Sequence, residues 1–107
     1  MKYISIFTAQ NLPARNEIAK ILQENGLQVV EAQHADLGLV LNIKYSLQGD
    51  MTVADVQGQT VRPTGNVGSL RRVWTYNDRV IKRSIREEDL AKAFAKDFLG
   101  VYRRENR

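Results

Sequence analysis

The 107-residue chain contains no cysteine, which excludes disulfide staples, thiolate nucleophiles and cysteine-ligated zinc or iron–sulfur centres. Two prolines and seven glycines leave no tract of the low-complexity, disordered kind. No apolar run approaches the roughly eighteen residues that span a bilayer as a helix. Met1 leads straight into a strand-like segment rather than a basic and then apolar leader. The chain therefore reads as cytoplasmic or, if a signal was removed, as a mature periplasmic or outer-membrane-associated form.

What is present suits one folded unit. With 43% hydrophobic and 26% charged residues, residues 1–107 are expected to form a single domain, since a core of this size buries roughly two-thirds of the unfolded chain's surface. The net charge of +4 is lopsided: residues 1–57 hold four basic and six acidic side chains, residues 58–107 twelve basic and six acidic. The second half carries the whole excess and would attract an anionic partner or aid solubility.

Patterning fixes the elements. "KYISIFT" is apolar on both faces and reads as a buried, central first strand. In "NLPARNEIAKILQENG", Asn11 can cap a helix, Pro13 suits its first turn, Ile18, Ile21 and Leu22 share a face, and Gly26 ends it. "LQVVEA" is a short strand. From Leu37 to Gln48 the apolar residues Leu37, Leu39, Leu41, Ile43, Tyr45 and Leu47 alternate with the others, a long strand with one buried face that stops at the turn Gln48-Gly49-Asp50. "MTVADVQGQTV" is a further strand, with Gly58 marking a turn or bulge. "RPTGNVGS" reads as a mobile loop. "LRRVWTY" and "RVIKRS" are expected as strands of a hairpin turning at Asn77-Asp78. Ser84 and Glu87 form a capping box opening a last helix from about 85 to about 104, with an apolar stripe of Leu90, Ala93, Phe94, Phe98, Val101 and Tyr102. The order β-α-β-β-β-β-β-α implies an α+β fold: a mainly antiparallel sheet of four to six strands with both helices on one face.

Catalytic constellations are sparse. The only histidine, His34, sits in "EAQHADL" near Glu31 and Asp36; a nucleophile's base or a metal site would want more than this trio, and a solvated turn histidine is the plainer reading. Asp50 falls in a turn and Asp55 on a strand flank, with no sign that they converge. "GNVGS" lacks the GK[ST] and the following helix of a phosphate loop. No enzyme activity, cofactor or metal is expected.

The basic and aromatic stretch "SLRRVWTYNDRVIKRS" has two readings. Trp74 and Tyr76 could stack unpaired bases while Arg71, Arg79, Lys82, Arg83 and Arg86 meet phosphates, making a nucleic-acid-binding module of hairpin 70–86. Alternatively Trp74 belongs to the core and the cations form a wet exterior, which a domain this short of aromatics favours. On that second reading Arg71, Arg72, Arg79, Lys82 and Arg83 become candidate contacts to a protein partner.

The helix ending at Asn25-Gly26, the strand "LQVVEA", the Ala35-Asp36 opening of "LGLVLNIKYSL", the Asp55-x-x-Gly58 segment and the late helix "EEDLAKAFAKDFL" together resemble small α/β domains of bacterial envelope proteins, of the TolB amino-terminal type and of curli-secretion-type outer-membrane lipoproteins. The resemblance covers residues 12–60 and 85–99. It implies a non-catalytic domain that binds a partner protein or itself within an envelope assembly. The basic segment around Trp74 lies outside that pattern.

Overall fold

The computed structural model describes residues 3–61 and 74–105. Its elements are strand β1 (Tyr3–Thr8), helix α1 (Leu12–Glu24), strand β2 (Gln28–Val29), a 3-10 turn at Ala32–His34, strands β3 (Leu37–Gln48), β4 (Met51–Val61) and β5 (Thr75–Lys82), and helix α2 (Glu87–Glu105). The strands form one sheet in the order β2-β1-β3-β4-β5. This is the expected α+β architecture, with two parallel pairings that the sequence pattern did not signal: β1 runs parallel to both β2 and β3. Parallel neighbours normally need a long crossover. Here β2 has only two residues, level with the start of β1, so the chain can pass the end of β1 and enter β3 after a short connection.

Alternation sorts the sheet into two faces. Ile4, Ile6, Leu37, Leu39, Leu41, Ile43, Ala54 and Val56 are buried in one core with Ala14, Ile18 and Leu22 of α1 and Leu90, Ala91, Phe94, Ala95, Phe98 and Leu99 of α2. Both helices therefore cover the same face. On α2 the buried pairs recur every four residues at 90/91, 94/95 and 98/99, as an amphipathic helix requires. Ala93, expected in the stripe, is exposed. Among the described residues no helix covers the opposite face, and β1, expected to be buried on both sides, leaves Phe7 63% and Tyr3 43% exposed on it.

Two turn assignments need correcting. Asn77-Asp78 is not a hairpin turn: β5 runs through it, paired with β4 from Gln59↔Thr75 to Thr52↔Lys82. The antiparallel partner of this strand is β4, so the sheet has five strands, within the expected four to six. The loop "RPTGNVGS" and the residues Leu70–Val73 lie outside the described residues. Gly58 is neither turn nor bulge; it sits in register between Leu41 and Tyr76, and a Cβ there would collide with the Phe94 ring. Gly49, by contrast, does turn the chain, with a φ of 64° at the β3–β4 connection, a conformation glycine adopts without a steric cost.

Helix capping also differs from expectation. Asn11 precedes α1 but makes no side-chain cap bond. Its side chain is buried and spans to β3 instead, Oδ1 accepting the Ile43 N–H at 3.0 Å and Nδ2 lying 3.5 Å from the Ile43 carbonyl. The vacated capping position is filled from α2. Glu87 Oε2 accepts the Ala14 N–H at 3.0 Å, and its Oε1 accepts from Asn11 Nδ2 at 3.2 Å and from the Tyr45 hydroxyl at 2.7 Å. Glu87 thus caps α1 rather than closing a box with Ser84, and α2 begins at Glu87 itself.

Gly58→Ala should destabilise the protein by about 1–3 kcal/mol, the usual cost of overpacking, although alanine is otherwise no worse than glycine in a strand. Equal or greater stability in urea unfolding would show that Phe94 moves aside. Tyr45 gives a second test. Burial, followed by the hydrogen bond to Glu87 and its charge, raises the phenol's pKa well above the ordinary value of 10.0. The fold favours the neutral phenol, so its stabilisation is complete below the unfolded value and is lost as pH rises through about 10 toward the folded one. Tyr45→Phe is therefore expected to lose less stability than the parent between neutral pH and pH values above about 10; superimposable alkaline profiles would contradict this.

Candidate interaction surface

The basic stretch is built on β5 and the turn after it. Trp74, just before the strand, is held by Thr60: its N–H donates to Thr60 Oγ1 and its carbonyl accepts the Thr60 N–H, both at 2.9 Å. That pairing turns the indole toward the helices. Its ring centroid lies 5.2 Å from Phe94, 5.6 Å from Phe98 and 5.9 Å from Tyr76, distances typical of packed aromatic pairs. Tyr76 meets Phe94 edge-on at 5.4 Å. Burial, then the charges of Asp78 and Asp97 and a hydrogen bond to Asp78, raise the Tyr76 pKa. The two aromatics thus form the outer wall of the core, and no open platform for bases is made from them.

The cations do not share one face. Arg79 points to the bare face and pairs with Asp55 at 3.4 Å, and Arg83 reaches Asp50 in the β3–β4 turn at 3.6 Å. Lys82 lies on the helix-side row opposite Thr52. Arg86 pairs with Glu88 at 3.7 Å. Arg71 and Arg72 lie outside the described residues. Two acids that the sequence left unassigned, Asp50 and Asp55, are therefore the local counter-charges of this region; being exposed, such pairs contribute about 0–1 kcal/mol each.

Beside Arg79 the bare face forms a shallow depression of about 500 Å³ lined by Asn42, Lys44, Asp55, Gln57 and Asn77. The amides align because Asn42, Gln57 and Asn77 are register partners across β3, β4 and β5. No periodicity rule singles out such a row, since its members are ordinary outward-facing residues of three separate strands. His34 is exposed in the 3-10 turn and Glu31 bonds Gln33 at 2.8 Å. Among the described residues no group of three or more His, Cys, Asp or Glu side chains could hold a metal ion.

No family model matches the sequence, and no curated protein matches it. Solved structures do. The PelC dodecamer of Paraburkholderia phytofirmans aligns over 89% of this chain and 82% of its own, at 14% identity and a TM-score of 0.55. The uncharacterized lipoprotein B of Nitrosomonas europaea aligns over 94% and 74%, at 14% identity and a TM-score of 0.51. The likeness is one of fold. It supports the sequence resemblance at the coarse level of a fold found in a bacterial lipoprotein, and nothing in these two structures ties it to TolB or to curli secretion. No helix among the described residues is long and apolar enough to cross a membrane.

Trp74→Ala should cost about 3 kcal/mol of stability, toward the low end for a large buried aromatic, as read by urea unfolding. Unchanged stability together with lost affinity for single-stranded oligonucleotides would instead make the indole a base-stacking group.

Proposed function

We propose that this chain is a non-catalytic, bacterial envelope-associated domain that binds a protein partner or further copies of itself within a larger assembly. The observation that carries this reading is the one-sided covering of the sheet. Both helices lie on one face, while the other carries the exposed apolar side chains Tyr3, Phe7 and Ile81 among amides and ion pairs, the mixture usual at protein–protein interfaces. The fold shared with lipoprotein B supports an envelope setting, periplasmic or on the outer membrane. The fold shared with PelC, whose structure is a dodecamer, supports assembly. Contacts to the partner are assigned to Arg79, Lys82 and Arg83 beside β5, with Arg71 and Arg72 from the preceding segment.

Expressed with a carboxyl-terminal tag in its own cell, the protein is expected in the envelope fraction as part of a complex larger than one chain. Reversing the charges of Arg71, Arg72, Lys82 and Arg83 together should lower recovery of that complex by about tenfold or more, as like-charge contacts do. Recovery from the cytosol as single chains would overturn the proposal.

A further inference from the structure

Among the described residues the last strand of the sheet has a partner on one side only, and the side it leaves open has a defined chemistry. Because Trp74 O accepts the Thr60 N–H, the even-numbered residues of β5 turn their backbone groups toward β4. Backbone direction alternates along a strand. Thr75, Asn77, Arg79 and Ile81 therefore present theirs to the free edge. Asp78 marks this: its Oδ1 accepts the Arg79 N–H at 2.8 Å, a local substitute for a strand partner. Ile81, near the strand's end, is 46% exposed.

From this edge we infer that β5 pairs antiparallel with β5 of a second copy about a two-fold axis at Val80, joining two five-stranded sheets into one. Edge-directed residues must face edge-directed residues, so the strand can slide only in certain steps. Centring on Arg79 sets Arg79 against its own copy. Centring on Asp78 does the same with two carboxylates, and centring on Ile81 opposes Arg79 to Arg83. Centring on Val80 sets Asp78 opposite Lys82 twice, Val80 against Val80, and the Arg79 stem beside Ile81. Opposite charges and apolar pairs directly across a ladder each stabilise it, whereas like charges oppose it. The exchange at the edge is balanced: the Arg79 N–H passes from Asp78 to the carbonyl of Ile81 in the copy, the Ile81 N–H of the copy donates to the Arg79 carbonyl, and the freed Asp78 carboxylate meets Lys82.

This inference rests on the assembly reading above but names its own contact, a two-fold one of the self-complementary kind. A ladder this short belongs to the small, weak class of interfaces, below about 1,200 Å², so the dimer is expected to build up only at tens of micromolar and above.

The full chain should double its mass in sedimentation velocity as its concentration rises from about 5 to about 500 µM, the range in which so small an interface forms. Asp78→Lys alone, or Lys82→Asp alone, should hold it monomeric; the double variant should dimerise again. Ile81→Pro removes an edge-directed N–H and spares the β4 ladder, so it should remain monomeric with an unchanged circular dichroism spectrum. A monomer across the whole range, or a dimer indifferent to the single reversals, overturns the inference. A monomer that is still recovered from the envelope bound to another protein, and loses it on Ile81→Pro, assigns the edge to that protein; self-pairing then fails and the assembly reading stands. A dimer rescued by the double variant in a protein found only in the cytosol supports self-pairing and overturns the envelope reading.

Discussion

One carboxylate holds the two helices and the longest strand in a common frame. Glu87 accepts from the backbone of α1, from the Asn11 amide and from the Tyr45 hydroxyl, and it stands at the first residue of α2. Two helix amino termini thus converge on one negative charge, where each macrodipole favours it. Asn11 completes the frame by exchanging hydrogen bonds with the backbone of Ile43, replacing the strand partner that β1 no longer supplies past Thr8. An apolar residue at position 87 would leave the Ala14 N–H and the Asn11 amide without this acceptor, and buried donors left unsatisfied cost about 1–3 kcal/mol each. The relative placement of α1, α2 and β3 depends on this polar clasp, because apolar packing alone has no direction.

With the helix starts fixed, α2 crosses the sheet over Gly58, and the missing side chain there lets Phe94 close against Trp74 and Tyr76. The same contact packs the indole of the basic stretch against the core. The Trp74 ring packs against both Phe94 and Phe98, and among the described cations Arg79, Arg83 and Arg86 are answered by Asp55, Asp50 and Glu88. Part of the positive charge in the second half of the chain therefore serves local pairing.

Local signals were legible where the physics is local. Helix α1 is bounded by Asn11, Pro13 and Gly26, and β3 announces itself by strict alternation; both are found within a residue or so of where those signals put them. The failures are all cases in which a distant residue decides. Asn77-Asp78 carries turn residues, yet the ladder to β4 keeps it extended. Ser84-x-x-Glu87 has the spacing of a capping box, yet Glu87 spends its acceptors on Ala14 and Asn11, more than seventy residues away in sequence. Gly58 looks like a bend because nothing nearby in sequence reveals the ring that needs its space. The amide row Asn42, Gln57 and Asn77 exists only once three strands are in register. For the candidate surface, the sequence pointed to Arg79, Lys82 and Arg83 by charge and could not say which face each would take.

The uneven finish of the sheet follows from the order of its strands. On the β2 side the edge is blunted: β2 is two residues long, and the chain folds back around Ala32–His34 beside the start of β1. On the β5 side the edge strand is eight residues long. Natural sheets guard such edges with charge, and β5 does so with Arg79, Lys82 and an aspartate folded onto its own backbone. A guard made of both signs differs from one made of lysines alone: it repels strands of one charge, yet matches a strand that presents the opposite order. The antiparallel copy of β5 is such a strand, so the residues that keep the edge soluble are also those that make it selective.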